Sequence, residues 1–147
     1  MTWDEIRTLA DQGIHFGSHT VTHPKLHGLE WLKIEDELVE SKRCLERELN
    51  KPITTFAYPF AYPQADTKFV RCFESLLKQL GYRCNVTTRI GRVETGDDPY
   101  SLRRLPMNSF DDDRLLQAKL AGGYDWLAVP QAVTKQVKQW TTFPQRA

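Results

Sequence analysis

Three amphipathic helical stripes alternate with short β-branched and aromatic runs along this chain, and that alternation limits its fold more than any other feature. Trp3, Ile6, Leu9 and Ala10 recur at helical spacing. So do Trp31, Ile34, Leu38, Leu45 and Leu49, and then Phe69, Val70, Phe73, Leu76, Leu77 and Leu80. Candidate strands stand between and after them at Ile14–Gly17, Ile53–Tyr58, Tyr82–Thr88 and Leu102–Met107. Helix and strand in turn imply an α/β fold, a largely parallel sheet with covering helices.

Punctuation residues sharpen the boundaries. Thr2 and Glu5 have the spacing of a capping box, and Gly13 can end the first helix in the left-handed conformation. Asn50, Lys51 and Pro52 end the second helix, Pro59 stops the strand after it, and Gly81 follows the third stripe. Asp111 to Ala121 predicts a further helix, its aspartates favourable at the positive end. A last helix is predicted from Gln131 to Trp140. At 147 residues the chain suits one domain with a real core, spanning 1–121 with 122–147 as its C-terminal tail. It opens on a helix and offers only about four strands, whereas a complete (β/α) barrel takes about 250 residues. Either it is a small open α/β sheet, or it is the back of a barrel lacking its first strands.

A formal charge of +1 gives no electrostatic footprint for nucleic acid or an anionic membrane. No apolar run approaches the roughly 20 residues that cross a bilayer, and the acidic N-terminus lacks the apolar core of a signal peptide. Three cysteines without CxxC spacing read as reduced or buried thiols.

The chemistry is concentrated in GIHFGSHTVTHPKL, from Gly13 to Leu26. The four histidines of the chain fall four residues apart, at His15, His19, His23 and His27. Clustered imidazoles on a short irregular stretch suggest a metal site. A strand over Ile14–Gly17 would deliver His19 to the carboxyl edge of the sheet, where α/β folds gather ligands. A turn over Thr20–His23 would bring His19 and His23 to one side. His15 alternates with Ile14 and Phe16 and so points to the other face, and His27 lies beyond Pro24 at a surface position. The bland alternative is a set of loop histidines bonded to nearby threonines and backbone. A catalytic zinc normally takes three protein ligands plus water, so this pair needs a third from elsewhere, expected to be a carboxylate.

The string SHTVTHPKL at Ser18–Leu26 resembles the second motif, H-[ST]-x-x-H, of the polysaccharide deacetylases, the NodB-homology family or carbohydrate esterase family four. The segments ELVESKRCLERELNKPITTFAYPF, LGYRCNVTT and DDPYSLRRLPM resemble a bacterial, FAYP-type branch of it in order and spacing, so the resemblance spans about Trp3 to Ala121. It implies a distorted (β/α)7 barrel and hydrolysis of N-acetyl (or O-acetyl) groups on chitin-like or peptidoglycan-type polysaccharide. It implies a divalent metal, expected to be zinc, held by His19 and His23 with an aspartate. Tyr58, Pro59 and Phe60 fall on the third motif and would wall the substrate groove, with a backbone N–H near Phe60 holding the oxyanion. Ala57 stands where most of the family has arginine.

Two parts of the family pattern are missing. Nothing N-terminal to His19 resembles T-F-D-D-G, which carries the base and the metal-binding aspartate. Neither Leu102-Arg103-Arg104 nor Leu105-Pro106-Met107 has the histidine of the L-x-H motif. Asp97-Asp98 and Asp111-Asp112-Asp113 read as loop and helix-start residues. Asn85-Val86-Thr87 is a formal sequon inside a predicted strand, where no glycan is expected. One of Arg103 and Arg104 could face the groove, with surface solvation the commoner role. The expectation is the C-terminal portion of a metal-dependent deacetylase domain, inactive alone, incomplete as a (β/α)7-type barrel. The alternative is a non-catalytic carbohydrate-binding homologue. Intact relatives are expected at the cell envelope or outside the cell.

Overall fold

A computed structural model of the protein describes residues 1–127; the predicted helix at Gln131–Trp140 and most of the 122–147 tail lie outside the described residues. Helix α1 (Trp3–Asp11) starts on the predicted capping box. The Thr2 hydroxyl accepts the Glu5 N–H at 3.3 Å, and the Glu5 carboxylate accepts the Thr2 N–H at 2.7 Å. The helix ends as predicted at Gly13, at φ +94°, where the Gly13 and Ile14 amides bond back to Ala10 and Leu9. Helix α2 (Trp31–Leu49) closes on Asn50 in the left-handed region, and α3 (Thr67–Gln79) on Gly81 at φ +77°. Helix α4 (Asp113–Leu120) is shorter than predicted because Asp112 stands outside it as N-cap, accepting the Leu115 N–H at 2.7 Å.

The sheet is parallel, in the order β1 (Thr55–Ala57), β2 (Cys84–Ile90), β3 (Leu102–Arg104). Phe56 lies opposite Asn85 and Val86 opposite Leu102. The predicted strand at Ile14–Gly17 does not form. Its place beside β1 is taken by a single parallel bridge, Ser18 to Phe56, made by Ser18 N–H to Thr55 C=O and Ala57 N–H to Ser18 C=O, each 2.9 Å. Apolar alternation over four residues is too short to distinguish a paired strand from an extended approach to a sheet.

One core joins β1, α2 and α3. Ile34 and Leu38 of α2 and Phe69, Phe73 and Leu77 of α3 are buried with Phe56, Tyr58 and Tyr82. The Phe73 ring lies 5.9 Å from Phe56, 5.4 Å from Tyr58 and 5.8 Å from Phe69. Leu26, from the irregular stretch after the histidines, is fully buried in the same core. That anchor and the Ser18 bridge pin the two ends of the histidine segment.

Candidate metal centre

The segment reaches the sheet through Gly17. A Cβ there would lie 2.4 Å from Thr55 Oγ1, so only glycine lets the chain pass this close to β1. Ser18 comes next, fully buried, its hydroxyl bonded to Ser41 of α2. His19 is thereby set at the carboxyl end of β1, and its Nδ1 lies 2.6 Å from the Ala57 carbonyl. A carbonyl only accepts, so Nδ1 carries the hydrogen and Nε2 presents a lone pair.

The chain then turns sharply. Thr20 and His23 adopt φ +70° and +55°, left-handed values that non-glycine residues seldom take. The Thr20 hydroxyl donates to the His19 carbonyl and accepts the His23 N–H at 3.2 Å. From α2, Glu37 clasps the same turn. One carboxylate oxygen accepts the Val21 and Thr22 amides at 2.7 and 2.9 Å, and the other accepts the Thr22 hydroxyl at 2.5 Å. Partial burial disfavours the Glu37 charge, yet these bonds outweigh it and hold the carboxyl below its usual range.

The turn brings His23 Nε2 to 3.2 Å from His19 Nε2, with the rings edge to face. Two nitrogens each about 2.0–2.1 Å from a tetrahedral ion stand about 3.3–3.4 Å apart. Donor type, the His19 tautomer and the spacing therefore fit two ligands of one zinc-like ion. No third histidine, cysteine or acidic residue joins them among the described residues.

Phe60 completes the surface here. It also has a left-handed backbone, φ +54°, and its ring lies 4.5 Å from His23 and is 46% exposed. Three of the four non-glycine residues with positive φ among the described residues thus belong to this cluster; the fourth, Asn50, is a helix cap. Such strain gathers where surrounding structure enforces a functional geometry. Tyr58 and Pro59, in contrast, are buried. Tyr58 is two residues from inward-facing Phe56 and shares its face of the strand, at 1% exposure. Burial also pushes its phenol far above the usual value. Of the three residues expected to wall a groove, the side chain of Phe60 is the one at the surface beside the histidines.

The other candidates lie elsewhere. His15 is exposed and outside the pair. His27 is exposed, as expected, but has specific partners: its Nε2 is 3.2 Å from Asp66, the N-cap of α3, and its ring meets Phe69 edge-on. The later aspartates hold the fold. Asp97 pairs with Arg103, Asp98 caps the 3-10 turn at Pro99–Ser101, and Asp111 pairs with buried Lys119 at 2.6 Å. Arg104 is exposed. Asn85 of the sequon is fully buried, its amide bonded to the Tyr100 carbonyl. Sequence reading missed Glu37 and the Ser18–Ser41 contact. Glutamate on an otherwise charged helix surface, 15 residues from its partner, carries no local signal.

This segment lies inside the region that known proteins share. The family described as polysaccharide deacetylase matches residues 1–85. The Bacillus subtilis protein YxkH, named as a polysaccharide deacetylase, is 26% identical over 105 residues, covering 71% of this chain and 36% of YxkH. A Streptococcus pyogenes deacetylase, PplD, solved in complex with acetate, superposes with a TM-score of 0.68 at 26% identity, over 81% of this chain and 50% of that one. A Bacillus cereus polysaccharide deacetylase gives 0.66 at 27% identity, over 81% of this chain and 36% of its own. The chain thus spans between about a third and a half of the length of these relatives. With the match covering more than half of its residues, the chain belongs to the polysaccharide deacetylase family.

Proposed function

We propose that this chain contributes two metal ligands and a groove wall to a hydrolase that removes N-acetyl (or O-acetyl) groups from a polysaccharide. The observation that carries this reading is the His19–His23 pair, with Nε2 atoms 3.2 Å apart and the His19 tautomer set by Ala57. Family membership supports an acetylated polysaccharide as the substrate class. The acetate held by the Streptococcus pyogenes relative is what such a reaction would release.

A divalent ion such as zinc, when bound, supplies an activated water and polarises an acyl carbonyl. His19 and His23 would hold it. The Ala57 carbonyl keeps the His19 lone pair outward, as partners of ligating imidazoles commonly do. Phe60, carried on the buried Tyr58–Pro59 pair, walls the groove. No hydrogen bond from the Phe60 amide is found among the described residues, which suits a donor reserved for the developing oxyanion. The third ligand is assigned to segments outside residues 1–127, because no further histidine, cysteine or acidic residue joins the pair among the described residues. The base and the acid are assigned there with it, and Asp97, Asp98, Asp111 and Asp112 are committed to pairs and caps. The sheet is read as part of a (β/α)7-type barrel completed by those other segments, and the chain alone is expected to release no acetate. The lack of a third ligand among the described residues also favours a second reading, a homologue that binds glycan without hydrolysis.

Titration calorimetry with Zn²⁺ tests the pair. Binding by the unmutated chain should be lost in His19→Ala and His23→Ala and kept in His15→Ala and His27→Ala. Equal binding by all five proteins would sink the assignment. Glycan binding without acetate release, once the carboxylate-bearing segment is supplied, would favour the second reading.

A further inference from the structure

The histidine turn is unfavourable by itself. Thr20 and His23 both take left-handed backbone angles, and neither is glycine or asparagine. Its tip lies at the surface, where Val21 and Thr22 are exposed. Within SHTVTHP the curl is supported locally by the Thr20 hydroxyl, which bonds the His19 carbonyl and the His23 N–H, and that hydroxyl leaves the Val21 and Thr22 amides at the tip unheld.

The contact that holds the tip comes from α2. Glu37 takes both amides at the tip, Val21 and Thr22, on one oxygen and the Thr22 hydroxyl on the other. Adjacent amides converging on one oxygen match the curl between the two positive-φ residues, and an extended segment could not offer them together. Glu37 is also well seated. It lies one residue before Leu38 and four before Ser41, both buried, and Ser41 bonds the buried Ser18 next to His19. One helix therefore holds the start of the turn through Ser41 and its tip through Glu37.

We propose that Glu37 is a positioning residue, whose carboxylate holds the 20–23 turn in the form that brings the Nε2 atoms of His19 and His23 together and thereby sets the affinity of the pair for a divalent cation. The inference rests on the metal reading above and adds to it a residue outside the histidine motif. The hydrogen bonds of Glu37 in this turn go to Val21 and Thr22 and to neither imidazole, so its effect passes through those two residues. The direction of its pKa agrees: bonds that favour the charged form prevail over partial burial that opposes it.

The test uses the ¹⁵N-labelled 147-residue chain with Glu37→Ala and Glu37→Gln. Solvent exchange is measured at the Val21 and Thr22 amides and, as a control for folding, at Phe73 and Leu77. Zn²⁺ is then titrated and followed on the imidazole nitrogens of His19 and His23. Glu37→Ala should speed exchange at Val21 and Thr22 by at least about tenfold and weaken Zn²⁺ binding about 10- to 100-fold, the usual range for a partner one step from a ligand. Phe73 and Leu77 should be unchanged. Glu37→Gln keeps an oxygen for both amides and should stay within severalfold of the unmutated chain. Two outcomes overturn the proposal: exchange and affinity within about twofold in Glu37→Ala, or losses that track lost protection at Phe73 and Leu77. If the unmutated chain takes up no Zn²⁺, the metal reading fails. The positioning role is then decided by ring-to-ring nuclear Overhauser contacts between His19 and His23, upheld if Glu37→Ala abolishes them and overturned if they persist.

Discussion

Gly17 and His19 show how single atoms set this site. A methyl group at position 17 would meet Thr55 Oγ1 at 2.4 Å and the Thr55 carbonyl at 3.1 Å. Gly17→Ala should therefore push the chain off β1 and break the Ser18 bridge. Thr55→Ala removes the nearer obstacle, so the two substitutions should couple favourably by about 0.5–3 kcal/mol in a double-mutant cycle followed by urea unfolding. Additive effects would mean that the approach is looser than described. His19 makes a second prediction at this scale. With Nδ1 at 2.6 Å from the Ala57 carbonyl, neutral His19 should be the Nδ1–H tautomer in ¹⁵N spectra. An Nε2–H tautomer would remove the lone pair on which metal binding depends. Histidine identity and spacing at 19 and 23 were legible in the chain, but the tautomer was not, because Ala57 is 38 residues away.

At the scale of elements, the helix ends were the most legible part. The capping box at Thr2 and Glu5 and the terminating glycines at 13 and 81 were read correctly, since caps depend on a few neighbouring residues. Asp66 is a cap with a wider reach. It accepts the Phe69 N–H at 3.0 Å and meets His27 at 3.2 Å, so it joins the start of α3 to the chain just past the histidine turn. The Phe69 amide, and after it His27, hold its carboxyl below the ordinary range. The folded-state pKa is thus depressed, and the stabilisation is complete above the unfolded value of about 3.9 and fades as pH falls through the folded one. Asp66→Ala should cost about 0.5–2 kcal/mol in urea at neutral pH, a difference that shrinks at lower pH. A cost that persists undiminished in acid would rule out the carboxylate as its source. His27→Ala should cost no more than about 1 kcal/mol, since both partners are largely exposed.

For the molecule as a whole, stability rests on one aromatic core shared by β1, α2 and α3. Phe73 is fully buried against Phe56, Tyr58 and Phe69. Phe73→Ala should cost about 3–5 kcal/mol, a large part of the roughly 5–15 kcal/mol that a domain has. Calorimetric unfolding would show a much lower melting temperature. A small shift would mean that the surrounding rings can collapse into the gap. The same core decides which residues face outward. Parity along β1 turns Tyr58 inward with Phe56, and the left-handed Phe60 then carries its ring to His23.

What the sequence by itself determined is whatever depends on near neighbours: the three amphipathic helices, their caps, the α/β class and the spacing of His19 and His23. Periodicity and capping act over a turn or two of chain, so they can be read locally. Only the tertiary structure decided that Ile14–Gly17 makes one bridge instead of a strand. It alone brought Glu37 onto the turn, buried Tyr58, and closed the histidine pair to 3.2 Å. Each of those depends on backbone groups and side chains that meet across the fold, where sequence distance carries no information about contact.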